Sequence, residues 1–283
     1  MSSPDLWLLR VSDLPERDLV GDPPGGGPPV GDLSNGDALA VDPSAVAPSA
    51  VDPSNGDAPV GDAPAAAGVL DLLDAEERAR AAAFVHDADR IRYVAAHVAL
   101  RRLLGDATGR PARDLVLIRE PCPRCGEPHG RPALADPPRP LHFSLSHGGD
   151  LVLIGIAEVP IGVDVEGLPR GETVAELASV LHPGEQTELA SLPADQLVPG
   201  FARLWTRKEA YLKGLGIGLG RDPSADYLGT AGLAPNPPGW TVTDLPTDDP
   251  DHAAALAIQG GSAAEVRVRR LSAAFVLQGH PQD

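Results

Sequence analysis

Apolar residues alternate with glycine and two acids in Ile161-Gly-Val-Asp-Val-Glu166, a pattern that predicts a β-strand. Asp164 and Glu166 stand at i and i+2, so their side chains share one face of that strand. Two acids on a strand more often mark the hydrated face of a half-exposed sheet. The stretch alone therefore predicts the fold of this segment better than its chemistry.

A second informative stretch, Trp205-Thr-Arg-Lys-Glu-Ala-Tyr-Leu-Lys213, predicts a helix. Glu209 and Lys213 are neighbours on its surface because residues four apart share a helix face. Such a pair is usually solvated and contributes about 0.3–0.5 kcal/mol. If strand and helix meet, however, three carboxylates and one ammonium converge, which suits Mg²⁺ held together with a phosphate-bearing substrate. Lys208 points about 100° away from Glu209 and is expected to be secondary.

The two stretches together, Gly-x-Asp-x-Glu followed by Trp-x-x-Lys-Glu-Ala-x-x-Lys, resemble the 4'-phosphopantetheinyl transferase superfamily, in its larger, monomeric Sfp-like type. Three upstream segments extend the resemblance in the same order: Arg90-Ile-Arg-Tyr93, His129-Gly-Arg-Pro132 and Phe143-Ser-Leu-Ser-His147. The match covers most of the chain apart from residues 20–66 and the last few. Five parts in order are far more specific than any one of them.

The resemblance implies an α+β fold, a pseudo-twofold pair of similar halves with the active site between them. The order of predicted elements, strands then helices then strands, agrees with this class. We place the N-terminal half at 1–145 and the C-terminal half, which carries the metal and catalytic motifs, at 146–283.

The resemblance also implies the reaction. The 4'-phosphopantetheine arm of coenzyme A would pass to a serine of an acyl or peptidyl carrier protein, with release of adenosine 3',5'-bisphosphate. Polyketide or nonribosomal peptide synthesis would be a typical setting. Two other readings stay open: a catalytically silent protein that binds coenzyme A or a carrier, and a metal-dependent phosphohydrolase that uses the same carboxylates.

Residue roles follow from the same resemblance. Asp164, Glu166 and Glu209 would hold Mg²⁺, and Glu209 is also the candidate general base. Lys213 would contact the phosphate at the reacting centre and protonate the leaving group.

Further residues would hold the nucleotide phosphates of coenzyme A. They are Ser146, His147, Arg92, Arg131 and Arg80, of which Arg80 is the weakest candidate. Arg131 stands where the family also uses lysine. Arginine keeps the positive charge at this position but presents a planar guanidinium instead of an ammonium. Glu77 departs from the pattern, because related enzymes often carry a base there.

Charge is distributed unevenly along the chain, whose formal net charge is −17. Residues 1–75 contain 13 acids and 2 bases, whereas residues 76–283 contain 27 acids and 21 bases. No basic stripe is available for nucleic acid. The chain shows no secretory signal and no apolar run long enough for a bilayer, so we expect a cytoplasmic monomer without membrane association. An acidic enzyme would meet an acidic carrier through an apolar face, for which Leu181, Phe201 and Leu204 are candidates.

Near-repeats fill the segment from about 20 to 66: Val-Gly-Asp occurs three times, and Val-Asp-Pro-Ser and Ser-Asn-Gly-Asp-Ala twice each. Pro, Gly, Asp and Ser dominate, so little apolar surface is available to offset the entropy of ordering. We predict a disordered insertion.

Local patterns predict the remaining elements. Asp74 and Glu77 form a capping box that begins a helix, and a second helix from about 87 to 104 stops at Gly105. Further strands are predicted at 5–11, 115–118, 141–146, 151–157, 240–243, 253–258 and 265–271, and further helices at 172–181, 184–191 and 196–215.

Cys122-Pro-Arg-Cys-Gly126, with His129 beyond it, has the spacing of half a zinc knuckle. Structural zinc usually takes four ligands and the chain has no second cysteine pair. His142 has no spacing that would make it the fourth. Zinc and a metal-free turn with reduced thiols both stay open.

Overall fold

The computed structural model describes residues 3–16, 19, 68–229, 236–260 and 266–279, without the side chain of Leu219. The insertion predicted at about 20–66 lies outside the described residues.

The elements of the described residues are, in chain order, β1 (Asp5–Arg10), α1 (Ala75–Ala83), α2 (Asp87–Thr108), β2 (Leu117–Arg119), β3 (Pro132–Leu134), β4 (His142–Gly148), β5 (Leu151–Ala157), β6 (Ile161–Gly167), α3 (Gly171–Leu177), α4 (Pro183–Ala190), α5 (Leu197–Leu215), β7 (Trp240–Asp244), β8 (His252–Gln259), β9 (Val268–Arg270) and α6 (Ala273–Gln278).

Two larger sheets stack between two helices. One sheet has the order β4-β5-β1-β9 and the other β6-β8-β7; β2 and β3 form a separate hairpin. Along β1, Trp7 and Leu9 join the core beneath α2, while Leu6 and Leu8 join the core shared with β6. This alternation follows from the two-residue period of a strand and gives the layers α2, sheet, sheet, α5.

The edge strands β4 and β6 lie side by side where the two sheets meet. The backbone N–H of Val163 donates to Oγ of Ser144 at 3.0 Å. At Gly148 an added Cβ would lie 2.5 Å from the carbonyl oxygen of Val165, so the two strands approach more closely than any other residue there would allow. This seam positions the site described below.

Helix α5 lies directly on β6. A Cβ at Gly162 would lie 1.9 Å from the carbonyl oxygen of Ala210, so only glycine permits this contact. The glycine two residues before Asp164 thus allows the helix carrying Glu209 and Lys213 to reach the strand.

The helix starts were predicted well, whereas the end of α2 was not. Asp74 and Glu77 form the capping box in full at the start of α1. α2 continues through Gly105 to Thr108 and ends at Gly109, which adopts φ 67°. Gly105 is buried within the helix, where a Cβ would lie 2.9 Å from the carbonyl oxygen of Arg110. Close packing, not helix termination, therefore requires glycine at 105.

Other element bounds differ modestly from prediction. β2 begins at Leu117, two residues later than predicted, and Leu115 is buried in the core before it. α3 ends at Leu177 and continues as a 3₁₀ turn, Ala178–Val180. β3 and α6 were not predicted.

The α+β class is confirmed. The pseudo-twofold relation and the 1–145 and 146–283 halves remain predictions, and β4 runs across the proposed boundary. None of the helices in the described ranges combines the length and apolar character that a membrane crossing requires.

Candidate active site at the seam of the two sheets

Asp164 is fully buried on β6 and is the centre of the site. Its Oδ1 accepts hydrogen bonds from Ser146 Oγ at 2.8 Å and from Lys213 Nζ at 2.5 Å. The ammonium of Lys213 also donates to Ser146 Oγ at 2.8 Å. The second oxygen of Asp164, Oδ2, is buried and has no partner among the described residues. A buried carboxylate oxygen without a partner is costly, and a bound cation would satisfy it.

Glu209 and Lys213 occupy the α5 face that lies over this carboxylate. Burial, and next the charge of Asp164, raise the pKa of Glu209 to about 7, although Lys213 acts in the opposite direction. Burial lowers the pKa of Lys213, but Asp164, Glu209 and Glu166 outweigh it, so the net pKa is raised. At neutral pH the lysine is charged, and Glu209 exchanges a proton readily.

Glu166 lies beside β4 at the same seam. Its Oε2 would be 3.2 Å from a Cβ at Gly148, and its charge acts on Lys213. The oxygens of Asp164, Glu166 and Glu209 do not all lie within 4.8 Å of one another. A shared cation would therefore draw these carboxylates together.

His147 follows Ser146 on β4 and faces the other way, towards α2, because successive strand residues alternate. Burial, and next the charges of Arg92, Lys213 and His97, lower the pKa of His147 to about 4. The imidazole is thus neutral at pH 7 among cationic neighbours. Arg92 is paired with Asp89 at 2.9 Å and Lys213 with Asp164, so an anion at His147 would share these two cations with their carboxylates.

The two other predicted phosphate contacts lie in different settings. Arg131 follows the β2–β3 loop; its Nε and Nη2 donate to Glu120 Oε2, and its Nη1 donates to the carbonyl oxygen of Gly214 at 2.9 Å. It is therefore tied to the residue after Lys213. Arg80 is exposed on α1, and its charge acts on Arg119 and Tyr93.

Lys208 lies away from the seam in a buried ion pair. Its Nζ is 2.9 Å from Glu185 Oε2, and it donates to the carbonyl oxygens of Pro223 and Asp226, each at 2.8 Å. Glu185 also accepts from the backbone N–H of Leu228 at 2.7 Å. This network joins α4, α5 and the segment after α5, which gives Lys208 a structural environment.

The acid at position 77 belongs to a buried group of polar side chains that the sequence did not predict. Its Oε2 accepts from Arg101 Nε at 2.6 Å, and its Oε1 lies 3.0 Å from His97 Nδ1. Burial raises the pKa of Glu77, but its hydrogen bonds to His97 and the Asp74 N–H outweigh this and lower it. Tyr93, His97 and Arg101 are spaced four apart on α2, a signal that could have predicted one polar stripe facing α1.

The apolar docking face expected at Leu181, Phe201 and Leu204 is wrong. All three side chains are buried in the core that joins α3, α4 and α5. The apolar residues of these amphipathic helices pack against one another and are unavailable to a partner.

Comparison with known proteins shows which family the chain resembles. Residues 160–251 match the family model of the 4'-phosphopantetheinyl transferase superfamily. The matched region contains Asp164, Glu166, Glu209 and Lys213.

Individual relatives extend the match beyond that region. The chain is 32% identical over 195 residues to the 4'-phosphopantetheinyl transferase HetI of Nostoc sp., which covers 66% of this chain and 79% of that protein. It is 28% identical over 197 residues to the 4'-phosphopantetheinyl transferase psf-1 of Bacillus pumilus, covering 67% and 80%. A putative 4'-phosphopantetheinyl transferase of Synechocystis sp. is 34% identical over 155 residues, covering 54% of this chain and 60% of that protein.

Fold, site and relatives define a mixed α/β protein with an acidic, lysine-containing seam between its two larger sheets. The chain belongs to the 4'-phosphopantetheinyl transferase superfamily.

Proposed function

We propose that the protein transfers the 4'-phosphopantetheine arm of coenzyme A to a serine hydroxyl of an acyl or peptidyl carrier protein. Adenosine 3',5'-bisphosphate is the leaving group, and the protein is of the larger Sfp-like type. The observation that carries the proposal is the buried carboxylate of Asp164, held on one oxygen by Lys213 and without a partner on the other.

Asp164, Glu166 and Glu209 fit Mg²⁺ as hard oxygen donors. The unpartnered Oδ2 of Asp164 and the raised pKa of Glu209 both indicate negative charge that the surrounding side chains do not fully neutralise. When bound, Mg²⁺ would neutralise charge on the pyrophosphate of coenzyme A.

The side chains of the seam then handle the proton. The serine oxygen bonds to the phosphorus that bears the pantetheine, and the bond from that phosphorus to the bridging oxygen breaks. Glu209, with a pKa of about 7, accepts the serine proton near neutral pH. Lys213 would neutralise or protonate the departing oxygen, and Ser146 and Asp164 hold its ammonium in place.

The nucleotide end of coenzyme A is assigned to the β4–α2 side. Neutral His147, with Arg92 and Lys213 as charged neighbours, would take the 3'-phosphate. Arg131 supports α5 through Gly214, and a phosphate contact by its guanidinium would compete with Glu120. Arg80, exposed on α1, would reach only the outer part of the nucleotide. We further propose that the enzyme acts as a cytoplasmic monomer.

A product assay separates this function from the other readings. Coenzyme A and Mg²⁺ are incubated with and without an apo carrier protein, and adenosine 3',5'-bisphosphate is quantified by chromatography. The proposal requires its release only when the carrier is present. Release without a carrier would indicate a hydrolase. Binding of coenzyme A without product, across acyl and peptidyl carriers, would indicate a silent binder.

A further inference from the structure

The loop between β2 and β3 brings together three potential metal ligands outside the site described above. The Sγ atoms of Cys122 and Cys125 and a ring nitrogen of His129 all lie within 4.8 Å of one another. Cys125 Sγ is 2.9 Å from His129 Nε2. It is the one such group of three found among the described residues. Sequence spacing suggested these three residues as half a zinc knuckle, but it did not place the imidazole against the thiol of Cys125.

The loop backbone is folded tightly around Cys122. The N–H of Cys122 donates to the carbonyl oxygen of Glu127 at 2.7 Å, and the N–H of Gly126 returns to the carbonyl oxygen of Cys122 at 2.8 Å. Gly126 adopts φ 81°, which closes this turn at little cost only for glycine. The turn therefore holds the Cys122 sulfur in a fixed position beside Cys125 and His129.

We propose that Cys122, Cys125 and His129 bind one Zn²⁺ ion, with water in the fourth position, which a side chain fills in most structural zinc sites. Two thiolates and an imidazole are soft and borderline donors, which bind Zn²⁺ in preference to Mg²⁺. Cys125 and His129 are exposed, so solvent reaches the remaining position. No other His, Cys, Asp or Glu of the described residues completes the group.

The metal would act as a structural clamp beside the catalytic helix. The loop ends at Arg131, which donates to the carbonyl oxygen of Gly214 on α5. Loop and helix also line one cavity of about 510 Å³, with Pro123 and Arg124 on one side and Tyr211 and Leu215 on the other. Fixing the loop by a metal would therefore fix one wall of this cavity and the support of α5.

The chain offers an unambiguous test because Cys122 and Cys125 are its two cysteines. The full-length protein is purified under reducing conditions, loaded with Zn²⁺, dialysed without chelator and analysed for metal by mass spectrometry. The expected result is one zinc per chain, with affinity reduced at least about tenfold in Cys125→Ser and in His129→Gln. His86→Gln, which changes an exposed histidine without a side-chain capping bond, should retain the metal.

Two measurements on the wild-type chain do not depend on variants folding. Cobalt replacement should give a thiolate-to-metal charge-transfer band, and Zn²⁺ should protect both thiols from a thiol reagent. Zinc should also raise Tm. A Cys122–Cys125 disulfide in place of reactive thiols, free thiols in the presence of Zn²⁺, or a metal content unchanged by Cys125→Ser would overturn the proposal. None of these readouts involves phosphopantetheine transfer, so the clamp and the proposed function can fail separately.

Discussion

The Nζ of Lys213 lies 2.5 Å from Oδ1 of Asp164, while Oδ2 of the same carboxylate has no partner among the described residues. One oxygen is thus neutralised by the protein and the other is left for a cation. Burial, and next the charge of Asp164, raise the pKa of Glu209, although Lys213 acts in the opposite direction.

Glu209→Gln should increase folding stability at pH 8 and decrease transfer activity. The pKa of Glu209 is about 7 in the folded protein, above its ordinary 4.5. The protonated carboxyl therefore contributes its full stabilisation below pH 4.5, and this contribution is lost as pH rises through 7. At pH 8 without Mg²⁺, the variant should be more stable by about 1–3 kcal/mol. Transfer activity should fall at least about 10²-fold.

Denaturant unfolding at pH 5 and pH 8 measures the stability effect. Glu172→Gln on α3, an exposed change of the same chemistry, is the control and should alter neither stability nor activity. A Glu209→Gln protein that is less stable than wild type at pH 8 would contradict the buried, uncompensated carboxylate.

Mg²⁺ binding should depend on pH through the same residue. A proton on Glu209 competes with the cation, so apparent Mg²⁺ affinity should increase as pH rises from 6 to 8. Titration calorimetry at a series of pH values measures this. Asp164→Asn should abolish binding at every pH, whereas an affinity that is flat across this range would show that Glu209 is not a ligand.

His147→Ala should distinguish donors by their 3'-phosphate. Losing a hydrogen bond to a charged phosphate costs about 1.5–3 kcal/mol, so KM for coenzyme A should rise about ten- to a hundredfold. KM for 3'-dephospho-coenzyme A should change little, because that donor lacks the group assigned to His147. Equal increases in KM with both donors would show that His147 does not act through the 3'-phosphate.

Glu185→Gln should reveal Lys208 as a structural residue. The pair is almost wholly buried, at 2% and 0% side-chain exposure, so removing the carboxylate leaves an ammonium without its counter-charge. A loss of about 3–5 kcal/mol in unfolding free energy is expected. Glu176→Gln, an exposed glutamate on α3, is the matched control for thermal and denaturant unfolding. Wild-type stability in Glu185→Gln would contradict this role.

The fold was predictable where local chemistry determines it. The Asp74 capping box, the alternation in β6 and the helical period of α5 all depend on neighbours in sequence. The end of α2 was not, because Gly105 is required by the returning chain at Arg110, a tertiary contact. The same limit applies to Leu181, which reads as an exposed helix residue until its packing partners are known.

The site was predictable as a set of residues but not as a set of contacts. Spacing placed Glu209 and Lys213 on one helix face, and a strand period paired Asp164 with Glu166. The Ser146–Asp164–Lys213 triangle depends on two edge strands meeting, which no local pattern encodes. For the same reason the Arg101–Glu77 pair and the role of His97 emerged only from the structure.

Intact-mass spectrometry of an apo carrier protein tests the central claim most directly. The carrier is incubated with coenzyme A and Mg²⁺, using wild-type protein and Glu209→Gln in parallel, and a carrier lacking its acceptor serine as control. The account predicts a mass gain of one phosphopantetheine group with the wild type, none without Mg²⁺ or acceptor serine, and a strongly slowed gain with Glu209→Gln. An unmodified carrier across acyl and peptidyl types, or full modification by Glu209→Gln, would contradict it.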